Sequence, residues 1–244
     1  MKVLALIPHY NHPDTVFQVA SAMKQLGIDC LIVDDGSSQS ARQYLQEIKE
    51  PGIEVLCREQ NGGKCAAVKT GCIWAEERAY SHILQVDADA QHCLEDSSKL
   101  LALVEQHPEA VVCAEPIYGE DAPKSRLYGR KLTNFWIAIN TLSLDIKDGM
   151  CGFRVYPLAI TNQIFRNYQV GNHMDFDIDL LVRLHRTGVS IKWVPTPVSY
   201  ELGGVSHFRM WRDNVLISKM HARLFFDMLR HLPQILKQKR LRKK

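Results

Sequence analysis

Two aspartates two positions apart, Asp87 and Asp89, directly follow an apolar run at residues 82–86. At the end of an extended strand, residues i and i+2 point to the same side. Two carboxylates placed that way can share one hard cation, Mg²⁺ or Mn²⁺, which takes oxygen ligands and keeps positions open for phosphates. Any Asp-x-Asp can also be a solvated loop. The buried strand before this one, and Gln91-His92 after it, favour the metal.

Other segments carry chemistry of the same kind. Asp34-Asp35-Gly36-Ser37 offers a carboxylate that can accept hydrogen bonds from a nucleobase or ribose hydroxyls, and equally the residues of a turn. Asn61-Gly62-Gly63-Lys64 precedes a helical stretch, where bare backbone and a helix N-terminus suit phosphate. It is not a P-loop, because Arg58 and Cys65 stand where that motif needs Gly and Ser or Thr. Asp175, Asp177 and Asp179 alternate with Phe176 and Ile178. They could complement a helix dipole, or one of them could deprotonate an acceptor hydroxyl. Gly203-Gly204-Val205-Ser206-His207 is either a surface loop or a flap over a diphosphate.

The elements that must hold these residues alternate. Apolar runs at 3–7, 30–33, 53–56 and 82–86 read as strands. Helical spacing covers 14–26, 40–48 and 65–78 between and after them. This is an α/β pattern, a mostly parallel central sheet flanked by helices. Ligands of such sheets sit at the carboxyl ends of the strands, where residues 9–11, 34–37 and 87–91 fall. Beyond residue 103 a strand is expected at 111–114, an amphipathic stretch at 127–144, a Gly-rich turn at 148–154, a helix at 176–187 and a strand at 190–194 before Pro195 and Pro197.

The chain has 244 residues, 46% hydrophobic and 23% charged, ordinary for a globular protein. Its seven cysteines form no Cys-x-x-Cys pair, which speaks for reduced thiols in a cytoplasmic protein. No apolar run is long enough for a signal peptide or a membrane span. Net charge is +3, but residues 208–244 hold eleven Lys/Arg against two Asp/Glu, so the tail carries +9 and the rest −6. Val215, Ile217, Met220, Leu224, Phe225, Met228 and Leu229 recur there at roughly helical spacing. A basic amphipathic helix can lie on an anionic membrane or simply pack on the body. The acidic body argues against nucleic acid as a partner. Residues 1–207 are thus expected as the catalytic domain, with halves at 1–110 and 111–207, and 208–244 as an appended tail.

In order along the chain, Pro8-His9-Tyr10-Asn11, Val33-Asp34-Asp35-Gly36-Ser37, Asn61-Gly62-Gly63-Lys64, Asp87-Ala88-Asp89-Ala90-Gln91-His92 and Asp148 with Cys151-Gly152-Phe153-Arg154 resemble the motifs of family 2 glycosyltransferases. The Asp87 segment is most similar to that of polyprenyl-phosphate sugar synthases. A softer resemblance links the C-terminal segment to a bacterial subgroup associated with lipid or aryl-polyene clusters. The sequence departs at His12, Cys65 and His207, where the family has Glu, Gly and Lys.

The resemblance implies a GT-A fold and an inverting transfer from a UDP- or GDP-sugar to a lipid or lipid-linked acceptor. It implies that Pro8, Tyr10 and Asp35 contact the nucleoside. Lys64, Asp87, Ala88, Asp89, Gln91, Ser206 and His207 would meet the diphosphate or sugar, with Mg²⁺ or Mn²⁺ on Asp87 and Asp89. Asp177 aligns with a catalytic base, and Asp148, Arg154 and Trp136 are expected on the acceptor side. The tail would place the enzyme on the inner face of a membrane. A nucleotidyltransferase, or a non-catalytic sugar-nucleotide-binding or scaffold protein, are the competing readings. The first would need a basic Gly-rich signature where Pro8 to Asn11 stand; the second is at odds with an intact Asp87 and Asp89.

Overall fold

A computed structural model describes residues 1–119, 123–198 and 209–242. Its first half runs β1 (Val3–His9), α1 (Pro13–Gln25), β2 (Asp29–Asp34), α2 (Gln39–Glu47), β3 (Ile53–Cys57), α3 (Lys64–Glu77), β4 (His82–Gln85) and α4 (Ser97–Gln106). The second half adds β5 (Val111–Tyr118), α5 (Lys124–Thr141), β6 (Arg154–Pro157), α6 (Leu158–Asn167), α7 (Phe176–Arg186), β7 (Ile191–Val198), α8 (Met210–Arg230) and α9 (Leu232–Arg242).

The strands form one seven-stranded sheet in the order β3-β2-β1-β4-β6-β5-β7. Strand β6 is antiparallel to both neighbours and every other pairing is parallel. Along β1, Leu4 and Leu6 face one layer of core while Ala5 and Ile7 face the other. A strand with helices on both faces needs apolar residues at every position rather than alternation. One layer is filled from α3, α6 and α7, the other from α1 and α4. The sheet runs unbroken across the expected boundary at residue 110, so both halves share these cores.

Three features depart from the sequence reading. The turn at 148–154 does not simply end. It leads into β6, which inserts between β4 and β5 and pairs Arg154 with Gln85. Its four residues carry too short a pattern to separate a strand from the turn before it. Helices α4 and α6 are the second addition. The third is β7, which continues through Pro195 and Pro197 to Val198. It is the sheet edge: β5 is its strand partner among the described residues, with an isolated bridge from Val198 to His92, and edge strands tolerate prolines, which have no N–H to donate.

The tail is partly consumed by the body. In α8, Ile217, Met220, Leu224 and Met228 are buried, whereas Val215 and Leu229 are exposed, with Trp211 and Phe226 beside them in the same state. Helix α5 also exposes Tyr128, Leu132 and Phe135, spaced for one helical face. Among the described residues no helix is long and apolar enough to cross a membrane. All seven cysteines are free, and burial pushes the Cys113 and Cys151 thiols up to about 12.

Candidate active site

The parallel pairing of β1, β2 and β4 brings His9, Asp34 and the Asp87 segment to one edge. Pro8 lies past the last β1–β4 pair, Leu6 with Gln85, so its missing N–H breaks no ladder. The loop after β1 locks onto the loop after β2. Asn11, in the left-handed region at φ 55°, donates its N–H to Ser37 Oγ at 2.9 Å and accepts from Ser38 N at 2.9 Å. His9 is buried. Its Nε2 accepts from His12 N at 3.1 Å, which leaves Nδ1–H to donate to Asp34 Oδ1 at 2.9 Å. Burial pushes the Asp34 carboxyl upward, but bonds from His9 and Ser37 outweigh that and hold it below the usual range. Tyr10 stands exposed at the rim.

Asp35 is nearly buried and occupied by the protein itself. Its carboxylate accepts from Gly62 N at 3.1 Å and Gly63 N at 2.7 Å, and Arg58 pairs with it. The residues around it leave no room for side chains. A Cβ on Gly36 (φ +76°) would come within 2.5 Å of Asn61 N, and one on Gly63 (φ +87°) within 2.2 Å of Asn172 O. Both glycines therefore serve the approach of backbone to backbone. Arg58 is a site residue that the sequence reading passed over except to exclude a P-loop; nothing in its spacing marks it.

At the centre, Lys64 Nζ lies 2.6 Å from Asp87 Oδ1 and 2.8 Å from Asp177 Oδ2. Gln85 Nε2 donates to the other Asp177 oxygen at 2.9 Å. The site thus joins residues from β4, α3 and α7 that lie far apart in sequence. Burial penalises every charge here, yet the Lys64 ammonium, aided by His92, holds Asp87 well below the usual carboxylate range. The same carboxylates hold Lys64 charged, against the pull of burial. Asp89 moves the other way: burial and the Asp87 charge both raise it. Ala88 is buried, and its carbonyl accepts from Thr15 Oγ1. Gln91 N donates to Asp89 Oδ1 at 3.2 Å. His92 stacks on Phe153 with ring centroids 5.2 Å apart, and its Nε2 is 4.0 Å from Asp87 Oδ2.

The three alternating aspartates have different partners. Asp175 accepts from His173 N at 3.0 Å. Asp179 is fully buried and accepts from Gly171 N at 2.8 Å and Arg183 Nε at 2.7 Å. Only Asp177 of the three shares a partner with Asp87.

Arg154, Trp136 and Asp148, expected on the acceptor side, take different places in the fold. Arg154 is fully buried beneath the site, donating to the Asp177 carbonyl at 2.8 Å and to Tyr156 OH at 3.2 Å. It braces the backbone of Asp177 from below. Trp136 packs toward α8, its ring 6.3 Å from that of His221. Asp148 is also buried. It accepts from Met150 N and Cys151 N at 2.8 and 2.7 Å and is held by Arg130 at 2.7 Å. Ser206 and His207 lie outside the described residues.

Asp87 and Asp89 provide the hard oxygen donors that Mg²⁺ or Mn²⁺ needs. Burial, and then the neighbouring Asp87 charge, raise the Asp89 carboxyl, and a cation beside it would favour its charged form. The residues therefore fit the ion. Among the described residues no group of three His, Cys, Asp or Glu is placed to hold a metal ion.

The mostly parallel sheet thus carries Asp87 and Asp89 at its carboxyl edge, as the sequence motifs implied for a glycosyltransferase. Residues 5–165 match the family model described as Glycosyl transferase family 2, and the chain belongs to that family. It is 29% identical to polyprenol monophosphomannose synthase of Mycolicibacterium smegmatis over 84% of this chain and 80% of that one. It is 28% identical to undecaprenyl-phosphate mannosyltransferase of Micrococcus luteus, over 83% and 86%. Mannosyl-3-phosphoglycerate synthase from Rubrobacter xylanophilus shares the fold, with a TM-score of 0.66 at 18% identity over 96% of this chain and 76% of that one. So does glucosyl-3-phosphoglycerate synthase from Mycobacterium tuberculosis in complex with Mn²⁺, UDP-glucose and phosphoglyceric acid, at 0.64 and 14% over 97% and 79%. The protein is a family 2 glycosyltransferase of GT-A fold, as the sequence motifs implied.

Proposed function

We propose that the enzyme transfers a sugar, with inversion, from a UDP- or GDP-sugar to a polyprenyl phosphate at a membrane surface. The observation that carries this is the Asp87–Lys64–Asp177 chain beside Asp89. It offers hard oxygens for a cation at one end and an ammonium for an anion at the centre. Pro8, Tyr10, Asp35 and Arg58 line the nucleoside end, and Lys64, Asp87, Ala88, Asp89 and Gln91 the diphosphate end. Ser206-His207 are assigned to the diphosphate on sequence alone.

Mg²⁺ or Mn²⁺ on Asp87 and Asp89 would supply positive charge to the departing nucleoside diphosphate. Lys64 adds a cation already held at the site before the donor arrives. A phosphate acceptor is already an anion, so no proton has to leave it. Asp177, expected as a base for a hydroxyl acceptor, then serves differently. With both oxygens engaged by Lys64 and Gln85, it fixes the ammonium in place. The relatives named for polyprenyl phosphates favour this acceptor over a hydroxyl.

The exposed apolar residues of α5 and α8, with the basic residues of the tail, favour peripheral attachment to an anionic membrane. Each basic residue near such a surface adds about 1 kcal/mol. The test is direct. The enzyme is incubated with Mn²⁺, a UDP- or GDP-sugar, and either undecaprenyl phosphate or undecaprenol. Transfer to the phosphate alone is expected. Transfer to the alcohol, or stabilisation by no nucleotide in a thermal-shift panel, refutes the reading.

A further inference from the structure

Lys64 is the first residue of α3, a place where the helix dipole disfavours a cation. Its ammonium is instead drawn into a group of carboxylates, bridging Asp87 and Asp177 at 2.6 and 2.8 Å. Gly152 closes over it: a Cβ there would meet Lys64 Nζ at 2.6 Å, Asp87 Oδ2 at 2.7 Å and Gln85 Nε2 at 2.9 Å. The cation, one of the expected metal ligands and the base candidate are thus packed as one unit. In this arrangement one Asp87 oxygen is engaged by Lys64. A bare divalent ion would meet Asp89, a half-committed Asp87 and an ammonium that repels it. Among the described residues no third ligand offsets that.

We propose that Lys64 is an internal competitor for the metal, so that the divalent ion binds well only together with the nucleoside diphosphate. The diphosphate brings two or three negative charges, attracts the Lys64 ammonium away from Asp87, and frees that carboxylate for the ion. The coupling is reciprocal: the nucleotide tightens the metal by the same factor as the metal tightens the nucleotide. It also sets an order, since an enzyme without donor would not hold the ion. This rests on the metal-and-nucleotide reading above.

Mn²⁺ binding is measured by the loss of its free-ion electron paramagnetic resonance signal, with and without UDP or GDP. Wild type should bind bare Mn²⁺ weakly and gain at least about tenfold from the nucleotide, within the usual span of coupling. Lys64→Met should bind bare Mn²⁺ about tenfold more tightly, and the nucleotide should then add less than about threefold. Lys64→Gln, which also removes the charge, should behave alike and covers a failure of the first variant to fold. Unchanged or weaker bare-metal binding in both variants overturns the proposal, as does full coupling without Lys64. If Asp89→Asn binds Mn²⁺ as wild type does, the assignment of the metal to this site fails, and the proposal with it. Donor turnover without any Mn²⁺ or Mg²⁺ would fail that assignment too, independently of the Lys64 variants.

Discussion

Asp179 on α7 and Arg223 on α8 form an ion pair that ties the C-terminal helix to the helix bearing Asp177. The carboxylate is fully buried, and Arg183 and Gly171 N complete its coordination. Arg186 adds a second tie, to Asp227 at 2.9 Å and to the Leu224 carbonyl at 2.7 Å. Asp179→Asn removes the nearer of two carboxylates beside buried Arg183, leaving Asp227 at 3.9 Å, and should cost about 3 kcal/mol. Arg223 is 43% exposed at its side chain, so Arg223→Ala should cost about 1 kcal/mol or less. Urea melts of both variants check the ranking. Equal losses would show that the tail, not the buried carboxylate, carries the stability.

Asp177→Asn separates the two acceptor chemistries. Loss of a general base costs about 10²–10⁴ in rate. With a phosphate acceptor the variant should keep turnover within about tenfold of wild type, because no proton is abstracted. A hundredfold fall in kcat at unchanged donor KM would return Asp177 to the role of base.

Gly152→Ala presses on the free ends of three polar side chains rather than on backbone. Such ends can move, so the melting midpoint should shift little, by about 1 kcal/mol or less. The contacts of Lys64 and Gln85 with Asp177 are disturbed by the shift, and kcat should fall more than tenfold. A variant that is fully active would show that this packing is irrelevant to catalysis.

His221 lies buried between α8 and α5, with Asn140 Nδ2 at 3.2 Å from its Nδ1. Burial pushes its pKa down to about 4. The unfolded chain takes up this proton near pH 6.5 and the folded one near 4. As the pH falls through that window the unfolded state binds more protons, so stability is lost, by roughly 3 kcal/mol when complete. His221→Gln should flatten the difference between melting curves at pH 7 and pH 4.5. A parallel pH dependence in wild type and variant would rule out this histidine as the source.

Much of the fold was legible because local pattern and global structure agree. Continuous apolar runs give β1, β2 and β4, and helical spacing gives α1, α2 and α3, each within one or two residues. The motifs at Gly36 and Gly63 were visible as turn chemistry, and Asn11 as the close of a strand-end segment. Their use was not: Asn11 holds Ser37 and Ser38, and Gly63 clears Asn172. Strand β6 escaped because four residues after a glycine turn carry no periodicity of their own; it is a strand only because β4 and β5 leave a gap for it.

The sequence alone determined the sheet edge at which the chemistry sits, since parallel strands with short connections send their carboxyl ends to one side. It also determined the residue types: the Asp87–Asp89 pair, Lys64 at a helix start, and three aspartates opening α7. Only the tertiary structure decided among those three. Asp177 meets Lys64 and Gln85, while Asp179 faces two arginines. Periodicity places all three on one short stretch, but which carboxylate meets which cation depends on how α7 docks against α3 and α8. That docking is set by the apolar residues of one core layer, drawn from strands and helices along the whole chain.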